Sequence, residues 1–403
     1  DLEQLKGGIV SPWLTLMTSM LVATAAAAQQ AAPKPPPLEE LEAKALQDSL
    51  DPEAHFRLAA RYYRMKRWAD EERELRTTIA IDPRYAPAYL WLGDLPYDRR
   101  PKLLKEERSG KVPAEFQPVV EESYRLYRQA FFIDPMVDFR VQGTSAPPED
   151  MITIPDYGEA TTRFLPFLGL GAFSATRYEL AYNAFDMWAQ RAFANKPVDS
   201  LPDYLFLYRG LSAGHLRAYN KAVADIQVLY NRSLQAERTD SLLPFPMRTN
   251  DYRYLLAVLN QLWGKPWPAV QLYEDALASD LGLYMAHVRL GQIYRSLKMW
   301  DKAIGEARRA IETNPNDPSL VRELGVLLDD AGRTEEAAAT LAQAAAANPR
   351  DPSAVYHLGV VQHKLARSDQ AREYLTRFVA MAPAGRYEQE LSDAKQRLAA
   401  LQP

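Results

Sequence analysis

From Leu38 almost to the C-terminus, apolar residues recur at three- and four-residue intervals, the spacing that gathers them on one face of an α-helix. No stretch alternates apolar and polar residues between turn signals, so no sheet is expected. The helical pattern is punctuated at a fixed interval. Pro315, Pro349 and Pro383 stand 34 residues apart. The pairs Leu290-Gly291, Leu324-Gly325 and Leu358-Gly359 keep the same interval, and so do Ala303, Ala337 and Ala371.

Each recurring position has a task in a unit of two helices. Leu290, Leu324 and Leu358 face inward on the first helix. The glycine that follows has no side chain, so the second helix can approach closely. Ala303, Ala337 and Ala371 sit at that approach, twelve residues on. Ala310, Ala344 and Phe378 bury against the next unit. The Asn-Pro and Ala-Pro pairs end the second helix, because proline disfavours helix in the residue before it. Asp317 and Asp351 then stand where a side chain can cap the next helix.

In period and residue type this pattern resembles the tetratricopeptide repeat, over about residues 50 to 385. Weaker copies keep Leu256, Ala257 and Ala269; Gly210 and Ala222; Leu168, Gly169 and Ala181; and Leu58, Ala59 and Leu75. One further unit is interrupted. It opens with Tyr89, Leu92 and Gly93 and closes with Tyr127, Ala130 and Pro135, with an 18-residue excess around Pro96 to Gln117. That makes eight candidate units. The resemblance implies an all-α, right-handed superhelical solenoid of antiparallel helix pairs. It divides the chain into a divergent region with insertions (39–249), a regular array (250–385) and a polar capping helix (386–403). Long connections are expected at 94–117, 136–160 and 236–249.

Two segments precede the helices. Residues 9 to 28 are almost wholly apolar or small, and Ala26-Ala27-Ala28 before Gln29 has the pattern of a signal-peptide cleavage site. The expectation for 1–28 is therefore a signal peptide, giving a periplasmic or secreted protein. The alternative is an uncleaved membrane anchor facing the periplasm, since about 20 apolar residues can span a bilayer. Residues 29 to 38 (QQAAPKPPPL) form a Pro-rich linker.

Composition narrows the chemistry. The chain has 403 residues, a net charge of -4 and no cysteine. Disulfides, thiolate metal sites and a cysteine nucleophile are excluded, and no global basic excess points to nucleic acid. Of the five histidines, His357 and His363 are six apart on one predicted helix, which puts them on different faces and argues against a metal pair. His55 and His287 occupy equivalent places in their units and read as packing residues. Gly169-Leu170-Gly171 lacks the strand and further glycines of a phosphate loop. Glu121-Glu122 and Glu335-Glu336 are adjacent, so neither pair shares a helix face. The cluster Arg99, Arg100, Lys102, Lys105, Arg108 and Lys111 reads as a solvated or partner-facing loop, without the interleaved aromatics that stack bases. No catalytic set, metal or cofactor is expected, and an enzyme with a helical-toroid fold is the weakest reading.

The resemblance also implies where a partner would sit: on the concave wall, lined by the first helix of each unit. In the register of the repeats that lining is Phe56, Tyr63, Leu90, Tyr97, Leu170, Phe173, Tyr204, Leu207, Leu211, Tyr254 and Val258. It continues through Met285, Val288, Gln292, Arg295, Arg322, Val326, Asp329, Tyr356, Val360 and His363. The first set is apolar and aromatic, the composition of an interaction surface. Either a protein or peptide partner covers it, or the chain's own insertions and Pro-rich segment do. Some relatives clamp acidic C-terminal tails with lysines and asparagines; Val288, Gln292 and Arg322 stand at those places here, which argues against such a receptor. The leading expectation is an exported scaffold of the bacterial cell envelope. The alternative is a membrane-tethered structural subunit of a membrane protein complex.

Overall fold

A computed structural model describes residues 36–137, 159–235 and 245–401. The expected signal segment and most of the Pro-rich linker lie outside them. Among the described residues there are nineteen α-helices and no strand. They run α1 (Leu38–Gln47), α2 (Pro52–Arg64), α3 (Trp68–Ile81), α4 (Ala86–Arg99), α5 (Lys102–Arg108), α6 (Gln117–Ile133), α7 (Glu159–Ser174), α8 (Tyr178–Ala192), α9 (Asp203–His215) and α10 (Tyr219–Ser233). Then follow α11 (Thr249–Leu262), α12 (Pro266–Ser279), α13 (Tyr284–Ser296), α14 (Trp300–Thr313), α15 (Pro318–Asp330), α16 (Thr334–Ala347), α17 (Pro352–Lys364), α18 (Ser368–Met381) and α19 (Glu388–Ala400).

The candidate units are helical hairpins: α2–α3, α4–α6, α7–α8, α9–α10, α11–α12, α13–α14, α15–α16 and α17–α18. The fold is a tetratricopeptide-like solenoid of these pairs, with α19 packed on α18 as its end. The insertion in the second unit holds α5, which packs on α4 and buries Leu103 and Tyr97. Its cations are partly neutralised within the chain, Arg99 by Glu72 at 2.8 Å and Arg100 by Glu106 at 2.9 Å.

Local chemistry explains the boundaries. Asp51, Asp317 and Asp351 each precede a proline and accept the backbone N–H two residues on, at 3.1, 2.9 and 2.9 Å. Each thereby satisfies an orphan amide of the first helical turn. Asp82 and Asp134 make the same kind of contact inside turns, with Arg84 and Met136. Within seven hairpins the turn is closed by one left-handed residue: Lys66, Thr176, Arg217, Gly264, Lys298, Gly332 or Ala366. The backbone enforces it even where no glycine is present. In α15–α16, for example, Gly332 N–H donates to Asp329 O and Arg333 N–H to Leu328 O, at 3.0 and 2.8 Å.

Close packing within hairpins falls on the repeated glycine. A Cβ at Gly325 would lie 2.6 Å from Leu341 Cγ, and one at Gly359 would lie 2.9 Å from Leu375 Cγ. At Gly169 and Gly93 the pressing groups are the rings of Phe185 and Tyr127. Gly291 differs: its nearest neighbour would be Ala303 O at 3.6 Å, an ordinary contact. Gly325→Ala is therefore expected to destabilise by about 1–3 kcal/mol through overpacking. Gly291→Ala should be neutral or stabilise by up to about 1 kcal/mol through helix propensity. Urea midpoints check this: that of Gly325→Ala should fall, and that of Gly291→Ala should stay or rise.

Candidate functional site

Most of the concave wall is occupied by the chain itself. Among the described residues α1–α6 stack as one run and α7–α19 as another, and the first run docks into the inner wall of the second. The docking parts are the α3–α4 turn and the C-terminal end of α6. The last carbonyls of α6 have no partner within their own helix. Phe132 O accepts from the Tyr254 hydroxyl at 2.6 Å, and Ile133 O accepts from Arg289 at 3.0 Å. Arg289 also suits the negative end of the helix dipole. One turn earlier, Arg128 donates to both carboxylate oxygens of Asp251, at 3.0 and 2.9 Å. Gln129 donates to the Tyr284 hydroxyl at 3.0 Å. In the α3–α4 turn, Arg84 pairs with Glu323 and lies 3.9 Å from Asp317. Asp82 meets Arg386 beyond α18 at 3.2 Å.

This docking corrects the expected lining. Leu90, Tyr97, Leu170, Phe173, Leu207, Leu211, Tyr254 and Val258 are buried core, with Met285, Val288 and Val360 beside them. Most of them line no open surface, because apolar rings and branched chains facing inward are closed over by other parts of the same chain; Val258, Met285 and Val288 still border the openings between the helices. Part of that cover comes from the third long connection, whose Phe245 packs edge-on to Phe131 at 5.7 Å. Phe56 and Tyr63 are half-buried against Trp91, at 5.1 and 5.5 Å, and Tyr204 stacks on Trp188 at 5.7 Å. Tyr356 and His363 turn toward the capping helix, where the Tyr356 hydroxyl donates to Asp393 and Arg397 lies 3.2 Å from His363 Nδ1. Of the expected set, Gln292 and Arg295 are exposed and Arg322 is half-buried.

Those three residues rim a cavity of about 220 Å³ between α13 and α15, floored by Val288, Gly291, Ala307, Leu320, Val326 and Leu327. Gln292 and Arg322 also border a cleft of about 530 Å³, whose far side is Asp82, Arg84, Asp134 and Met136 of the docked run. The arginines are held in place from the next helices: Arg295 by Asp330 at 2.5 Å and Arg322 by Asp351 at 2.6 Å. His357 closes the rim. Burial, reinforced by Arg322, holds it below its ordinary 6.5, so it is neutral at neutral pH.

His55 and His287 serve their hairpins, and His287 also lines the cavity. His55 meets Glu74 and His287 meets Glu306, each at 2.7 Å and each from the first to the second helix of its hairpin. In the sequence both histidines read as packing residues; the glutamate that pairs with each stands nineteen residues on in both units, and that shared spacing is the available signal. Among the described residues no group of three or more His, Asp or Glu is placed to hold a metal ion, and no helix is long and apolar enough to cross a membrane.

A stack of helical hairpins defines a class by its architecture, the helical-repeat solenoid. Residues 269–318 and 322–386 match the family model of the tetratricopeptide repeat. No curated protein matches the chain. Similar solved structures include the C-terminal part of a TPR repeat-containing protein from Cytophaga hutchinsonii, at 16% identity and TM-score 0.45, covering 60% of this chain and 92% of that one. Another is MamA from Desulfovibrio magneticus RS-1, at 15% identity and TM-score 0.38, covering 44% of this chain and 94% of that one.

Proposed function

We propose that the chain is an exported scaffold of the bacterial cell envelope that holds a polypeptide at the opening between α13 and α15. The observation that carries this reading is an accessible stretch of the expected lining, Gln292, Arg295 and Arg322 around an apolar floor. Apolar floors with polar rims are the usual anatomy of a peptide-binding surface. Export rests on the apolar segment 9–28 and its Ala26-Ala27-Ala28 end. The same segment, left uncleaved, supports the second reading, a membrane-tethered subunit.

A photo-crosslinking amino acid at Gln292 tests the binding reading against one at Gln343, which is exposed on the second helix α16. Polypeptide adducts are expected from position 292 in cells and not from 343. Equal yields from both positions, or none from 292, would defeat the reading. N-terminal sequencing of the mature protein separates the two locations: a start at Gln29 supports export with cleavage, and a retained segment supports the anchor.

A further inference from the structure

The cavity has a cause that can be read along the array. Sixteen residues after the glycine or alanine of each first helix, the second helix supplies the residue that fills the hairpin. That residue is Leu75 after Ala59, Phe185 after Gly169, Ile226 after Gly210 and Tyr273 after Ala257. It is Leu341 after Gly325 and Leu375 after Gly359. In the interrupted unit Tyr127 takes the place, pressed against Gly93 across the insertion. All of these are buried. After Gly291 the residue is Ala307, which is too short to reach the glycine, and the cavity opens over both.

A slot filled in seven hairpins and vacated in one, beside the accessible Gln292 and Arg295 of the expected lining, is a packing loss unless something else enters it. We propose that the space beside Ala307 is a socket for one large apolar side chain, leucine- to phenylalanine-sized, of a bound polypeptide. This rests on the binding reading given above. The size fits: an aliphatic cavity of about 150 Å³ accepts benzene, and this one holds about 220 Å³. The occupant is a residue within a chain, because the socket shares Gln292 and Arg322 with the 530 Å³ cleft. That cleft gives the residues flanking the anchor a path lined by charged groups. The Gln292 side chain, standing at the junction, has a donor and an acceptor to offer the passing backbone.

Ala307→Leu tests the socket by restoring the residue that the neighbouring hairpins carry at Leu341 and Leu375. The fold should tolerate it, with an unfolding midpoint unchanged or raised. In the full chain with labelled Val and Leu methyl groups, N-acetyl-leucinamide and N-acetyl-phenylalaninamide should shift the Val288, Leu320, Val326 and Leu327 signals. N-acetyl-alaninamide should not, and Ala307→Leu should abolish the shifts. The yield of crosslinked polypeptide from position 292 should fall by about 30-fold, the loss of one anchoring side chain. Absent methyl shifts, or shifts that persist in Ala307→Leu, overturn the socket. Full adduct yield in Ala307→Leu overturns it too and leaves the binding reading standing. If position 292 captures nothing even in the wild type, it is the binding reading that fails.

Discussion

Tyr254→Ala is expected to destabilise the protein by roughly 3–5 kcal/mol, as large aromatic truncations in cores do. Tyr254 is fully buried. Its ring packs against Phe132 at 5.2 Å and Tyr273 at 5.6 Å, and its hydroxyl donates to Phe132 O at 2.6 Å. Tyr254→Phe keeps the ring but strands a carbonyl of the last α6 turn, at a cost of about 1–3 kcal/mol. Were Tyr254 an open contact for a partner, Ala would leave stability within about 0.5 kcal/mol and would reduce binding instead. Urea unfolding of the two variants separates these roles. Hydrogen exchange adds a local readout: amides in the last turn of α6 should lose protection in Tyr254→Ala before those of α17 and α18 do.

The same residue marks the boundary of what the sequence discloses. The 34-residue period places Leu290, Gly325 and Ala337 inside hairpins and Phe378 against the next unit, because those contacts lie within a unit or between neighbours and recur at fixed offsets. The period also put Tyr254 and Val258 on the inward side of a first helix, which is where they are. What it does not carry is the cover. Arg84 with Glu323 and Arg128 with Asp251 join residues 239 and 123 positions apart, and no repeat encodes such pairs. A warning was nonetheless present in α11. Residues 254 to 259 read YLLAVL, apolar on every face. A helix apolar all round is buried on all sides, whereas one bordering an open groove needs a polar face. The socket was legible too, since Ala307 stands in the column of Leu341 and Leu375. It was hidden because alanine is unremarkable in a second helix until its column is compared.

The charged clamp between α6 and α11 sets up the second large effect. Asp251 is fully buried near the start of α11, where its carboxylate also accepts the Arg248 backbone N–H at 2.8 Å. Burial pushes its carboxyl up from the ordinary value, against the pull of Arg128 and Arg248. Arg128→Met keeps the apolar stem and removes the guanidinium, leaving a buried charge with one main-chain donor. Breaking a buried pair in this way costs about 3–5 kcal/mol, and the lower end applies because the Arg128 side chain is 31% exposed. The sign of the pH dependence follows. Without Arg128 the folded-state value of Asp251 rises further above its unfolded value, so the native state binds the extra proton. The deficit of Arg128→Met is then largest at neutral pH and shrinks as the medium is acidified through that folded value. Arg128→Met with Asp251→Asn should recover part of the loss at neutral pH, because the stranded charge is gone. Urea unfolding of the single and double variants at neutral and mildly acidic pH measures this directly. A deficit that stays constant across that range, with no recovery in the double variant, would mean that Arg128 holds the two runs together by packing alone.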